Sequence, residues 1–261
     1  MKKYRVCWVV LCFNEIDVLP FVSKYWEKVA DKVVVFDNNC STDGSIEYLE
    51  KLPYVELRHF DSDGHDDILH KQIKENAYRE FKDEFDVVII SDLDEVFYFN
   101  DFNALVGKMI DGGYNCTICP IYALCEDSKP LYRDDMLLHH QCHKFFKQRM
   151  NHERGFDDYS KVSIFNCRVT SDIVMSVGQH YVYTRPGMNI LLTDQAFCLH
   201  INRGFGADYY ASTRVKMGKN LSKSNIMHGM GVEYLKGYDV LRNIYLENQS
   251  KSFDINKNFC F

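Results

Sequence analysis

Residues 87–95 read Val-Val-Ile-Ile-Ser-Asp-Leu-Asp-Glu, an apolar run that stops at two acids. The run has the length and the β-branched character of a strand that is buried on both faces. Asp92 and Asp94 follow at the point where that strand should end. Both carboxylates can reach one hard divalent cation, because Mg²⁺ and Mn²⁺ take a few carboxylate oxygens and fill their other positions with water or phosphate. An exposed acidic turn is the other interpretation of the same residues.

Three strand–helix units precede this run. Apolar, β-branched segments predict strands over 4–12, 32–36, 54–60 and 86–90. Helical spacing of apolar residues predicts helices over 15–30, 41–52 and 66–85. This alternation predicts an α/β fold with a mainly parallel sheet flanked by helices. The later, less regular pattern indicates helices over 100–110, 208–219 and 232–246, and strands over 114–123 and within 181–200.

The composition is that of a globular protein. The chain has 261 residues, of which 46% are hydrophobic and 26% are charged, and its net charge is −6. The acidic balance excludes the broad positive field of a general nucleic-acid-binding protein, so we expect no nucleic-acid partner. No apolar run approaches the ~18 residues of a membrane span, and the N-terminus lacks a signal-peptide cleavage pattern. We therefore expect a cytoplasmic protein, and contact with the inner face of a membrane stays open.

Polar and mostly acidic residues follow each of the four predicted strands. These segments are 12–15, 37–44, 61–67 and 91–95. In parallel α/β sheets, ligands bind beyond the carboxyl ends of the strands, so the segments together predict one binding site. The sequence has neither a Walker A motif nor G-x-G-x-x-G after the first strand. A bound phosphate group would therefore need a metal ion to balance its charge.

Three of these segments together resemble the GT-A glycosyltransferases. Asn14-Glu15, residues 36–44 and Asp92-Leu93-Asp94-Glu95 are similar to the family-2-like branch, which carries an Asp-x-Asp-Glu sequence. The resemblance covers residues 4–99 and implies a GT-A, Rossmann-like fold with an irregular acceptor-binding half. It implies one domain over 1–261, divided into a nucleotide-sugar-binding half (1–99), an acceptor-binding half (100–247) and a tail (248–261).

The resemblance also implies a metal-dependent enzyme. It would move a sugar from a nucleotide sugar, with UDP as the expected nucleotide, to a hydroxyl of a glycan or glycolipid acceptor with inversion, in polysaccharide or lipopolysaccharide-type glycan synthesis. Mn²⁺ or Mg²⁺ would be held by Asp92, Asp94 and His200, although a histidine beside an apolar strand also fits a core position. The donor would be held by Cys12, Asn14, Glu15, Asp37, Asn39, Lys71, Asp92 and Leu93.

The segment 203–223 is basic, with Asp208 as its one acid. A helix in this segment could aim Lys216 at the diphosphate of the donor, where a cation would stabilise the leaving group. The same residues also fit a solvated basic face or a contact with an anionic membrane surface. We predict that Lys216 binds the donor.

A carboxylate downstream of the metal site is needed as the catalytic base, because inversion requires a group that takes the proton from the acceptor hydroxyl. The resemblance favours Asp157 or Asp158, late in the acceptor-binding half. The other candidates are Glu126-Asp127, Asp134-Asp135 and Glu153.

Two other functions stay open. The apolar run followed by Asp92-Leu93-Asp94 also fits a haloacid-dehalogenase-like phosphatase, with Asp92 as nucleophile and Asp94 as the acid and base. That motif usually lies on the first strand, whereas three strand–helix units precede it here. A non-catalytic nucleotide-sugar-binding subunit would have the same polar strand ends. A zinc site on Cys116 and Cys119 is disfavoured, because a strand would point the two sulfurs to opposite faces.

Overall fold

The computed structural model describes residues 3–39, 41–147 and 160–255. The helices in these ranges are α1 Leu19–Val29, α2 Ser45–Leu49, α3 Asp67–Phe81, α4 Phe102–Asp111, α5 Leu138–Gln141, α6 Ala207–Lys219, α7 Lys223–His228 and α8 Tyr238–Ser250, with 3₁₀ turns over Val177–Gln179 and Val232–Leu235. The strands are β1 Val6–Cys12, β2 Lys32–Asn38, β3 Val55–Phe60, β4 Val87–Asp92, β5 Glu95–Phe99, β6 Cys116–Leu124, β7 Phe145–Lys147, β8 Ser160–Asn166, β9 Asp172–Met175, β10 Val182–Arg185, β11 Ile190–Leu192 and β12 Ala196–His200.

The central sheet is parallel in its first half and mixed in its second. Its strand order is β3-β2-β1-β4-β8-β6-β12-β5, and the pairs among the first four strands are all parallel. Registration of Cys12 with Asp37 and of Leu11 with Asp92 places the carboxyl ends of β1, β2 and β4 at one edge. The predicted α/β fold is confirmed.

Both faces of the parallel half are covered by helices. Alternate residues of β1 divide between two cores, with Trp8 and Val10 in the core under α1 and α4. Cys7 and Val9 lie in the core under α3. Because neither face meets water, all seven residues of β1 are buried, which explains its uninterrupted apolar sequence.

The second half of the chain returns to the first through β12. This strand pairs in parallel with β6 and antiparallel with β5, where His200 lies opposite Glu95. The pairing brings a histidine from late in the chain to the acids that follow β4. The strands β5 and β12 come from the two predicted halves, so the sheet is continuous across the predicted boundary at residue 99. The single domain and its subdivision stay predictions.

Several predicted boundaries are wrong in detail. The strand β5 was not predicted, because only Leu93 and Asp94 separate it from β4 and no turn glycine marks the break. The predicted helix over 232–246 is divided into a 3₁₀ turn and α8, which starts after Gly237 in an extended conformation. Helix α8 also continues to Ser250, into the predicted tail.

Within the described residues, no helix has both the length and the apolar character that crossing a membrane requires.

Candidate active site

The carboxyl ends of β1 and β4 open into a cleft of about 1200 Å³. Its walls come from both halves of the chain, since α3, α6 and the 3₁₀ turn over Val232–Leu235 all contribute side chains. The structure brings several predicted site residues to this cleft: Cys12, Glu15, Lys71, Asp92, Leu93, Asp94 and His200.

Asp92 is held in its ionised form by two lysines. Lys74 Nζ donates to Asp92 Oδ1 at 2.8 Å, and Lys161 Nζ lies 3.9 Å from Oδ2. Burial opposes ionisation, but the charges of Lys74 and Lys161 outweigh it and hold the pKa of Asp92 well below its usual range. Lys161 also pairs with Glu95 Oε1 at 2.9 Å. Asp92 is therefore a fixed acceptor on the cleft wall, tied to two cations that the sequence analysis did not assign.

Asp94 and His200 form the second acidic element. His200 Nε2 lies 3.5 Å from Asp94 Oδ2, and Ile201 N donates to Asp94 O at 2.7 Å. Burial opposes ionisation of Asp94, but His200 and Arg203 outweigh it and lower its pKa to about 2. Arg203 makes a two-pronged ion pair with Glu15, behind this element.

The donor chemistry of Asp94 and His200 fits a divalent metal ion. A carboxylate with an imidazole suits Mn²⁺ better than Mg²⁺, because Mg²⁺ prefers oxygen ligands throughout. Asp92 Oδ1 accepts from Lys74, and the predicted role of Asp92 as a metal ligand stays a prediction. Among the described residues, the three-ligand cluster whose ligand atoms all lie within 4.8 Å of one another is His65, Asp67 and His70.

A half-buried arginine on α6 faces the same cleft. Arg214 lies between the rings of Tyr210 and Tyr234, with its guanidinium carbon 5.2 and 4.8 Å from their centroids. Its Nε is inaccessible to solvent and has no hydrogen-bond partner among the described residues. Gly218 permits this arrangement, because a Cβ there would lie 2.3 Å from Tyr234 O. A guanidinium N–H that is shielded from water and has no acceptor among the described residues favours an anionic ligand in the cleft.

Lys216, the predicted diphosphate contact, is exposed and is not among the residues that line the cleft. It follows Arg214 by two residues on α6, which turns it about 200° around the helix axis. Arg214 instead follows Tyr210 by four residues and shares its face. The prediction for Lys216 gains no support from this position.

Three other predicted donor-binding residues lie beside the cleft rather than in its lining. Asp37 is fully buried and accepts from Ser41 Oγ at 2.8 Å. Asn39 donates to Asp61 Oδ1 at 2.6 Å. Asn14 adopts a φ of 55° and accepts from Thr42 N at 2.8 Å. All three brace the loops at the ends of β1 and β2, and their predicted contacts with a nucleotide stay predictions.

The candidates for the catalytic base are only partly placed. Asp157, Asp158 and Glu153 lie outside the described residues. Asp127, Asp134 and Asp135 are paired with Lys144, Lys24 and Arg133, and Glu126 accepts from the Lys144 backbone N–H; none of the four lines the cleft. Glu233 does line it, is exposed, and has no ion-pair partner in the described ranges. Glu233 was not predicted as a site residue; the turn-forming run Gly229-Met-Gly-Val-Glu was the sequence signal for it.

The cysteine pair in β6 does not form a metal site. Cys116 lies in the core under α3 and Cys119 in the core on the opposite face of the sheet. Their sulfurs therefore point apart, as the strand assignment predicted.

Comparisons with known proteins give structural similarity only at a low level. No family model and no curated protein matches the chain. A crystal structure of Staphylococcus aureus TarS matches with 10% identity and a TM-score of 0.43, over 94% of this chain and 43% of that one. TarS 1–349 in complex with UDP matches with 12% identity and a TM-score of 0.41, over 98% and 72%. The complex with UDP-GlcNAc matches with 10% identity and a TM-score of 0.40, over 94% and 72%. This chain thus spans less than half of the longer TarS chain, and similarity this low supports no inference about activity.

Proposed function

We propose that the protein is a metal-dependent GT-A glycosyltransferase of the family-2-like branch, which moves a sugar from a nucleotide sugar, with UDP as the nucleotide, to a hydroxyl of a glycan or glycolipid. One observation carries the proposal: a single cleft holds Asp94 and His200, whose donor atoms suit a metal ion, and the cation Arg214, whose Nε has no acceptor among the described residues. A nucleoside diphosphate complements both, because its oxygens can complete the coordination of a metal ion and accept from a guanidinium.

Each residue of the cleft has a distinct role in this proposal. Asp94 and His200 would hold Mn²⁺ or Mg²⁺, which when bound supplies positive charge to the diphosphate leaving group. Arg214 donates to diphosphate oxygens and stabilises the charge that develops as the sugar departs. Lys74 and Lys161 fix the Asp92 carboxylate, which is then oriented to accept from the ribose hydroxyls of the donor. Cys12 and Leu93 contribute to the wall of the nucleotide side of the cleft.

Transfer proceeds in this proposal by one displacement with inversion. The acceptor oxygen forms a bond to the anomeric carbon while the bond from that carbon to the diphosphate oxygen breaks, and the base takes the acceptor proton. Asp157 or Asp158 remains the predicted base. Glu233 is a further candidate, because it is an unpaired carboxylate on the cleft wall among the described residues. Polysaccharide or lipopolysaccharide-type glycan synthesis in the cytoplasm remains the expected setting, and contact with a membrane stays open.

Transfer assays with UDP-sugars, with and without Mn²⁺, test the proposal. The wild-type protein should release UDP and glycosylate an acceptor only when the metal is present. Asp94→Asn should lose metal-dependent UDP binding, whereas Asp208→Asn, an exposed acid on α6, should behave as wild type. If Asp94→Asn binds UDP and Mn²⁺ as tightly as wild type, the metal assignment is wrong.

The same assays separate the alternatives. Release of phosphate from an aryl phosphate, abolished by Asp92→Asn, would support a phosphatase instead. Tight UDP binding without transfer or hydrolysis across a broad panel of acceptors would support a non-catalytic binding subunit.

A further inference from the structure

A cluster of two histidines and an aspartate also lies on the wall of the cleft. The ligand atoms of His65, Asp67 and His70 all lie within 4.8 Å of one another, and His65 Nε2 is 3.1 Å from Asp67 Oδ1. We propose that these three side chains form a second metal site, which binds a divalent transition ion such as Zn²⁺ independently of the nucleotide. Two imidazoles and one carboxylate are donors that select such ions over Mg²⁺ or Ca²⁺.

The local structure places Asp67 and His70 on one face of α3. Asp66 caps this helix, and its Oδ1 accepts from Ile68 N and Leu69 N at 3.0 Å each. The helix therefore starts at Asp67, and His70 follows it by three residues in the first turn. The ring of His70 is held edge-on between Phe60 and His65, at centroid distances of 5.6 and 4.9 Å.

His65 is fixed by the loop that joins α6 to α7. Its N–H donates to Asn220 O at 2.7 Å, and its carbonyl accepts from Ser222 N at 3.0 Å. Gly64 makes this contact possible, because a Cβ at that position would lie 2.3 Å from Asn220 O. The histidine is thus positioned before any ligand arrives, which lowers the entropy cost of binding.

A buried asparagine orients the carboxylate of the cluster. Asn225, which is fully buried, donates from Nδ2 to Asp67 Oδ2 at 2.8 Å and accepts from Asp67 N at 2.9 Å through Oδ1. Asp67 Oδ1 is thereby aimed at His65. Hydrogen-bonded support of a ligating carboxylate from a second layer of residues is typical of metal sites.

The surroundings leave one side of the cluster open. His65, Asp67 and His70 all line the cleft. The two lysines that follow on α3 are directed elsewhere, Lys71 to Glu75 at 2.7 Å and Lys74 to Asp92 at 2.8 Å. Zinc sites that bind a further ligand have three protein ligands and one coordination position that is open to a cleft. The open position suits an anionic oxygen of a molecule in the cleft.

Titration of the chelator-treated chain of 261 residues with Co²⁺ alone tests this site. Co²⁺ should bind with one equivalent, give a visible ligand-field absorption, and be displaced by Zn²⁺. Asp67→Asn, which keeps the side-chain shape, and His70→Gln, which keeps a polar side chain, should each weaken Co²⁺ binding by about 100-fold or more, beyond the loss typical of a supporting residue. Unfolding curves will show that both variants are folded.

Two controls separate this site from the proposed active site. Asp94→Asn should keep the Co²⁺ absorption in the absence of nucleotide, and so should His228→Gln, which removes an exposed histidine at the end of α7. Unchanged Co²⁺ binding in folded Asp67→Asn and His70→Gln would overturn the proposal. A strong thiolate charge-transfer band would also overturn it, because it would place the ion on cysteine. A failure to detect glycosyl transfer would contradict the proposed function but would not change the conclusion about this metal site.

Discussion

Replacing Arg214 by methionine should weaken nucleotide binding while leaving the fold as stable as before, or more so. Methionine keeps the apolar contact with Tyr210 and Tyr234 but removes the charge. A hydrogen bond from a charged donor contributes about 1.5–3 kcal/mol, and each 1.4 kcal/mol is tenfold in affinity. We therefore expect Arg214→Met to bind UDP about 10- to 100-fold more weakly in the presence of Mn²⁺.

The same substitution should not lower the free energy of unfolding, although it weakens nucleotide binding. Leaving the shielded Nε of Arg214 without an acceptor among the described residues costs about 1–3 kcal/mol, and two cation–π contacts return about 0.5–2 kcal/mol each. The two terms nearly cancel, so the free energy of unfolding of the ligand-free protein should stay the same or rise by about 1 kcal/mol. A rise of that size would increase Tm by about 2–4 °C.

Calorimetric titration with UDP and Mn²⁺, together with scanning calorimetry, measures both effects. Arg242→Met is the matched control, because Arg242 is an exposed arginine on α8 whose Nε lies 2.8 Å from Asp208 Oδ1. It should change neither UDP affinity nor Tm noticeably. Equal UDP affinity in Arg214→Met and wild type would refute the role of Arg214. A fall in Tm of many degrees would show that the arginine is a structural element instead.

Three further predictions concern acid stability, the core and the base. Asp94 has a pKa of about 2 against an ordinary value of 3.8, so its ionised form stabilises the fold above about pH 4. Roughly 2 kcal/mol of the free energy of unfolding is lost as the pH falls toward 2. Urea unfolding at a series of pH values should show that the free energy of unfolding falls less with acid in Asp94→Asn than in wild type. Trp8 is fully buried and donates to Ser91 Oγ at 3.0 Å, so Trp8→Ala should lower the free energy of unfolding by about 3–5 kcal/mol, and an equal value for Trp8→Ala and wild type would contradict the core described. Among Asp157→Asn, Asp158→Asn and Glu233→Gln, the variant that removes the base should lower kcat by about 100-fold or more with UDP affinity unchanged, and full activity in all three would exclude every one of these carboxylates.

The parallel half of the fold could be predicted because its sequence signals are local. Val87 to Ile90 and the β1 segment are apolar without interruption, which only a strand covered on both faces requires. The position of Asp92 and Asp94 at a sheet edge followed directly from that assignment. The strand β5 escaped prediction because its partner, β12, lies far along the chain and supplies the hydrogen bonds that define it.

The cations of the site could not be chosen from sequence for a similar reason. Helix α6 has a weak apolar stripe, so its sequence does not indicate whether Arg214 or Lys216 faces inward. The rotation of the helix depends on contacts between separate elements, such as the close approach of Gly218 to Tyr234. His65 likewise resembled part of a polar turn until its pairing with the segment 220–222 was visible.

The pairing of β12 with β5 also makes the Asp94–His200 element depend on a strand from late in the chain. The two residues are separated by more than a hundred positions in the sequence and meet only when the last strand enters the sheet. A fragment that ends before β12 would keep the parallel strands and the acids yet lack the imidazole partner. If the proposed metal site is correct, affinity for manganese would therefore report whether β12 has entered the sheet.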